Sequence, residues 1–206
     1  MSHTRKTRVL YHNLGYVTMF TYFRFFHAPY KLTERLVPKK GKIMDLGCGY
    51  GFFPNLLGLT SSGREVLGIE LNQRKLQYAD KGVENVKFIN SDITKLNMTD
   101  CDCVILFHVL HHLHSYNQQH RLLKEAYKKL KKGGKLIVVE IDNKPLWKFL
   151  FTICVDATLY IGDWFFYRTQ KHFKELFKKV GFETEQVVPA HKLVPLSHVV
   201  YVCKKT

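Results

Sequence analysis

Carboxylates are scarce in this chain: 17 Asp and Glu stand against 32 Lys and Arg in 206 residues, a formal net charge of +15. The excess lies in residues 1–40 and 101–206, while 41–100 is neutral. Such a field favours anionic partners such as phospholipid headgroups, nucleic acid or acidic metabolites, and is silent about fold. A merely solvated lysine-rich surface is the plain alternative. Cysteine is sparse and odd in number, with Cys48, Cys101, Cys103, Cys154 and Cys203 at scattered spacings. That excludes a disulfide framework and fits reduced thiols in the cytoplasm. Cys101-Asp102-Cys103 lacks the second pair a zinc site needs. No run reaches the ~20 apolar residues of a membrane-spanning helix. The nearest, 146–167, is interrupted by Lys148, Asp156 and Asp163. The aromatic stretch 16–26 is broken by Arg24 and lacks a small-residue cleavage site, so a signal peptide is not expected. Repeats and low-complexity stretches are missing too.

What remains is a globular mixture, 46% hydrophobic and 24% charged, of a length that suits one domain. From Gly41 onward short β-branched runs alternate with amphipathic helical patterns, which predicts βαβ units and a mostly parallel sheet. Strands are expected over 42–46, 66–70, 86–89, 103–107 and 135–140, with two more over 183–188 and 199–203. Leu122, Leu123, Ala126 and Leu130 share a helix face, for which Gly133-Gly134 is the expected stop. Phe173, Leu176, Phe177 and Val180 share another, ended by Gly181. Residues 1–40 read as a helical or irregular lead-in to a domain spanning 41–206.

The most informative stretch is Asp45-Leu46-Gly47-Cys48-Gly49-Tyr50-Gly51, between a strand and a helical pattern. Its glycines follow G-x-G-x-G, not the G-x-G-x-x-G of dinucleotide binding. Asp45 at the strand end would repel a pyrophosphate but attract a cationic ligand group. The second strand ends in Glu70, placed to accept from two ribose hydroxyls. The third is followed by Asp92-Ile93, suited to an adenine amine and ring face. Ribose, adenine amine and ammonium without phosphate describe S-adenosylmethionine. On these residues the chain resembles the class I S-adenosylmethionine-dependent methyltransferases over about 40–206. The resemblance implies a Rossmann-like, doubly wound, seven-stranded α/β sheet with helices on both faces. It implies cofactor contacts from Asp45, Gly47, Cys48, Gly49, Gly51, Glu70, Leu71, Asp92, Ile93 and Phe107, and S-adenosylhomocysteine as product.

After the fourth strand comes His108-Val109-Leu110-His111-His112-Leu113-His114, where the family presents the methyl group. The Asn/Asp-Pro-Pro-aromatic motif of nucleobase amine methylation is missing, and the run is similar to small-molecule and lipid methyltransferases. Neutral His suits deprotonation of an alcohol, phenol or ammonium acceptor. His108 and His111 are the candidate bases, His112 the third, and Asp142 a candidate for orienting the acceptor. A purely structural role for these histidines stays open. Metal is not expected, since no HExxH and no carboxylate joins the run.

Residues 146–168 hold both tryptophans and read as a lid-like insertion, and the lead-in carries Tyr11, Tyr16, Phe20, Tyr22, Phe23, Phe25 and Phe26. Two aromatic covers over one cleft predict a large apolar or amphipathic, lipid-like acceptor methylated at O or N, or a surface touching anionic membrane. An RNA or protein acceptor, and a cofactor-binding protein without turnover, are the alternatives. A cytoplasmic location with peripheral membrane association is the expectation.

Overall fold

The computed structural model describes residues 3–93, 100–159, 162, 164–190 and 194–206, so Asp163 lies outside the described residues. Seven strands form one sheet: β1 (Gly41–Leu46), β2 (Arg64–Glu70), β3 (Val86–Asn90), β4 (Cys101–Phe107), β5 (Leu130–Ile141), β6 (Phe182–Pro189) and β7 (His198–Lys205). Their spatial order is β3-β2-β1-β4-β5-β7-β6. The first five run parallel, and β7 is antiparallel to both β5 and β6. Helices α1 (His3–Val9), α2 (Tyr16–His27), α3 (Tyr30–Leu36), α4 (Phe52–Thr60), α5 (Gln73–Leu76), α6 (Tyr116–Lys129), α7 (Leu146–Leu159) and α8 (Gln170–Val180) surround it.

The central strands read as unbroken apolar runs because both sheet faces are covered. In β4, Val104 and Leu106 pack with Met44, Leu122, Leu123, Phe173 and Phe177 on the α6/α8 side. Cys103, Ile105 and Phe107 alternate to the other side, against Tyr30, Phe52 and Phe53 of α3 and α4. Period-two alternation therefore divides one hydrophobic strand between two cores.

The lead-in is three helices fastened to the glycine loop. Tyr11 Oη donates to Tyr50 O at 2.8 Å, and Asn55 Nδ2 reaches Tyr11 Oη at 2.9 Å and Ala79 O at 2.8 Å. Gly181 ends α8 as expected, at φ 110°, its N–H donating to Phe177 O and Lys178 O. Gly133-Gly134 behaves differently from expectation. Helix α6 ends at Lys129, and Leu130 is already extended and paired with Cys101. The next paired residues are Cys103 and Lys135, so 131–134 bulge from β5 opposite Asp102. Gly133 adopts φ 75° there, and a Cβ on Gly134 would lie 2.8 Å from Lys131 O. The glycines serve a folded-back bulge and not a helix cap.

Candidate functional site

The order of strands reverses at β1, with β2 on one side and β4 on the other, which opens a crevice at their carboxyl ends. A cavity of about 300 Å³ occupies it, lined by Asp45, Gly47, Cys48, Gly49 and Tyr50, by Glu70 and Lys75, by Phe107, His108, Val109, His112 and Leu113, and by Phe20, Arg24, Tyr30, Phe52 and Phe53. Its floor is the glycine loop. The N–H groups of Gly47 and Cys48 both donate to Ile69 O, at 2.8 and 3.0 Å, and the Gly49 N–H donates to Glu70 Oε2 at 2.8 Å. Glu70 Oε1 accepts from the Asn72 N–H, also at 2.8 Å. One carboxylate thus fixes the turns after β1 and β2 together. Gly47 has φ 81°, and a Cβ there would come 2.8 Å from Val109 Cγ2. At Gly49, φ 57°, nothing lies within 4 Å of where a Cβ would stand, so a ligand can approach the backbone.

Asp45 is 1% exposed, and its Oδ1 has no hydrogen-bond partner. Burial, and then the charge of Glu70, push its carboxyl up to about 8. An orphaned, desolvated carboxylate oxygen at a cavity wall is a costly arrangement that a cationic ligand group relieves.

The turn after β4 is built around Glu140 on β5. Its Oε1 accepts from the N–H groups of Leu110 at 2.8 Å and Val109 at 3.2 Å, and its Oε2 lies 2.5 Å from His111 Nδ1. Burial pushes His111 down, but the charge and hydrogen bond of Glu140, with Asp156 added, outweigh it and raise the imidazole above its ordinary value. His111 is 2% exposed, and its ring stacks on Tyr167, whose hydroxyl donates to Asp156 Oδ2 at 2.8 Å. It stands outside the cavity. His108 differs in every respect. It adopts φ 55°, lines the cavity, and leaves Nε2 without a partner. Burial, Arg24 and His198 hold it neutral, well below the ordinary histidine value. Its ring stacks on His198 at 4.6 Å and 8°. Burial pushes His112, also at the cavity wall, down to about 2.

The sequence-predicted site residues therefore separate. Asp45, Gly47, Cys48, Gly49, Glu70, Phe107, His108 and His112 meet at one cavity. Gly51 lies behind it, with Ala79 and Phe88 against the space a Cβ would need. Leu71 is largely exposed, and Asp92 and Ile93 are half-buried beyond the described wall. Asp142, paired through Oδ2 with Gln170 Nε2 at 2.8 Å, also lies off the wall because α8 claims its side chain. From the lead-in, Phe20, Thr21, Arg24 and Tyr30 line the cavity. Among the described residues of 146–168, Asp156 and Tyr167 reach the histidine turn, and none lines this cavity. Sequence reading missed the part played by Glu140 and His198. Along the chain Glu140 is only an acid at the end of the 135–140 run, and nothing there relates His198 to His108. No group of three or more His, Cys, Asp and Glu among the described residues is arranged to hold a metal ion.

Residues 44–138 match the family described as Methyltransferase domain. YqeM of Bacillus subtilis (strain 168), a methyltransferase by assignment only, is 31% identical over 121 residues, covering 54% of this chain and 48% of YqeM. The match thus spans about half the length of that relative. The demethylmenaquinone methyltransferase of Thermotoga maritima is 25% identical over 161 residues, covering 69% of this chain and 70% of its own. An S-adenosylmethionine-dependent methyltransferase structure from Aquifex aeolicus superposes with a TM-score of 0.67 at 16% identity, covering 98% of each chain, the lead-in helices included.

Proposed function

We propose that this chain is a class I S-adenosylmethionine-dependent methyltransferase that transfers a methyl group to an apolar or amphipathic small molecule held against the aromatic wall of the cavity. The observation that carries the reading is the division of one cavity into two chemistries. Asp45 and Glu70 supply carboxylates to its wall, while Tyr30, Phe52, Phe53 and Phe107 supply a cluster of rings in mutual contact, with Phe20 and neutral His108 also lining it.

The residues present fit the cofactor. Asp45 Oδ1, buried and unpaired, suits the ammonium of its amino-acid end. The oxygens of Glu70 keep lone pairs for the ribose hydroxyls beyond the two backbone bonds they already accept. The open approach at Gly49 admits the chain between them. When bound, S-adenosylmethionine supplies a methyl group on a sulfonium, itself a good leaving group. What the protein contributes is then placement more than acid–base work. The aromatic wall excludes water and holds the acceptor. His108 Nε2 offers one hydrogen bond to orient the acceptor atom, and neutrality leaves that nitrogen free of competing charge. His111, committed to Glu140, holds the turn on which His108 sits. The likeness to a demethylmenaquinone methyltransferase supports an acceptor with an aromatic or extended apolar body.

The test is incubation of the chain with methyl-labelled cofactor and separated lipid, metabolite, RNA and protein fractions. Label is expected in an organic-soluble small molecule that gains one methyl by mass spectrometry. Label confined to RNA or protein would contradict the acceptor assignment.

A further inference from the structure

The outward face of α7 carries no charge at all. Leu146, Trp147, Leu150 and Phe151 are 51–66% exposed, and Cys154, Ala157 and Thr158 continue the same stripe. These positions recur at one, four and five residues, the spacing of a single helical face, while Thr152 and Asp156 occupy the buried face. Trp164, 80% exposed, follows in the chain. An apolar stripe on a helix of 14 residues is too short to cross a bilayer, and no helix among the described residues is long and apolar enough to do so. It is the right size to lie in one.

The rim of this face is cationic. Lys144 is exposed at its start, and the Lys148 ammonium sits 5.4 Å from the Trp147 ring centre. Lys148 also donates to Val194 O at 2.9 Å, and Val194 lines a groove of about 430 Å³ with Phe26, Lys31 and Arg35. Phe26 is itself exposed, with the Arg8 guanidinium 5.3 Å from its ring centre. Apolar and basic groups thus continue from α7 onto α2 and α3. Exposed carboxylates are missing from both parts. Residues 1–44 contain one acid, Glu34, which is bound to Arg64 and Lys39. Residues 141–159 contain two, Asp142 and Asp156, and both are buried.

We propose that α7, with the adjoining ends of α2 and α3, docks on an anionic lipid surface, inserting Leu146, Trp147, Leu150 and Phe151 among acyl chains and placing Lys144, Lys31 and Arg35 on headgroups. Charge complementarity selects this occupant over a second copy of the chain, whose matching face would bring like charges together. Interfacial helices bind through this combination of buried apolar area and attraction to anionic lipid. The inference is separate from the methyl-transfer reading, because none of the residues placed in the lipid touches the cofactor side of the cavity.

The experiment uses the full chain with phosphatidylcholine vesicles, with and without phosphatidylglycerol. Trp164→Phe leaves Trp147 as the sole tryptophan reporter. Flotation with the anionic vesicles and a blue shift of Trp147 emission are expected, both weakened by salt. Trp147→Glu with Phe151→Glu should cut vesicle binding at least ~10-fold and leave S-adenosylmethionine affinity unchanged. Failure to float, an unshifted Trp147, or a stable dimer or RNA complex that shields Trp147 in the absence of lipid would each overturn the proposal. Cofactor binding, measured in parallel, reports separately on the enzyme assignment.

Discussion

Glu70→Ala is expected to lose S-adenosylmethionine at concentrations that saturate the unaltered chain. Hydrogen bonds to a charged group contribute about 1.5–3 kcal/mol each, and two ribose hydroxyls are lost together. At roughly 1.4 kcal/mol per tenfold, the affinity falls by about 100-fold or more. The loss has a second origin, since Glu70 also holds the N–H groups of Gly49 and Asn72, and so the shape of the loop that meets the ligand. Glu70→Gln keeps one acceptor oxygen and is expected to fall between the two. Equilibrium dialysis with labelled cofactor, beside a melting curve to verify folding, distinguishes these outcomes. Near-normal affinity in a folded Glu70→Ala chain would remove the ribose assignment.

The largest effect on stability is expected at Arg64, far from any ligand. Its side chain is fully buried at the start of β2. Nε donates to Pro38 O at 2.7 Å, Nη1 to Leu57 O at 3.0 Å and Thr60 Oγ1 at 2.6 Å, and Nη2 to Val37 O at 3.1 Å, while Glu34 Oε1 lies 3.0 Å from Nη1. One guanidinium therefore joins the end of α3, the entry to β1 and the end of α4. Arg64→Met keeps the volume but leaves the carbonyls of Val37, Pro38 and Leu57 without this donor and Glu34 with Lys39 alone. Breaking a buried pair from one side costs about 3–5 kcal/mol, and a chain of this length loses about 2–4 °C per kcal/mol. The melting temperature should drop by roughly 6–20 °C on that basis. The pH dependence follows from Glu34. Burial pushes its carboxyl up, but hydrogen bonds from Lys39, Thr60 and Arg64 outweigh this and leave it below the ordinary value. The pair's contribution is therefore present above the ordinary carboxylate range and disappears as pH falls through the lowered value. Arg64→Met should flatten that acid limb. A melting temperature within a degree or two of the unaltered chain would refute the staple.

Much of this architecture was legible along the chain because its signals are local. A strand buried on both faces is an apolar run, so β1, β2, β4 and β5 declare themselves, and the glycine loop marks a sharp strand-to-helix turn with an acid before it. Gly133-Gly134 misled because a glycine pair reads alike as a helix stop and as a bulge. Only the pairing of Lys135 with Cys103 decides between them. The histidine run was visible, but its division was not. Whether a histidine is a neutral cavity wall or a structural post bound to a carboxylate depends on Glu140, 29 residues from His111, and on His198, whose ring lies against His108. Likewise the aromatic content of 146–168 suggested a lid, yet Leu146, Trp147, Leu150 and Phe151 face outward, while Phe20 of α2 and Tyr30 of α3 line the cavity. Composition identifies apolar material, and register on the helix determines which way it points.

The most direct measurement is a calorimetric titration of S-adenosylmethionine at pH 7, repeated in buffers of different ionisation enthalpy. Asp45, held protonated by a carboxyl value of about 8, must ionise to meet an ammonium. One-to-one binding with release of about one proton is therefore expected, and NAD should not compete. Binding without proton release, or displacement of the cofactor by a dinucleotide diphosphate, would contradict a cationic nucleoside resting between Asp45 and Glu70.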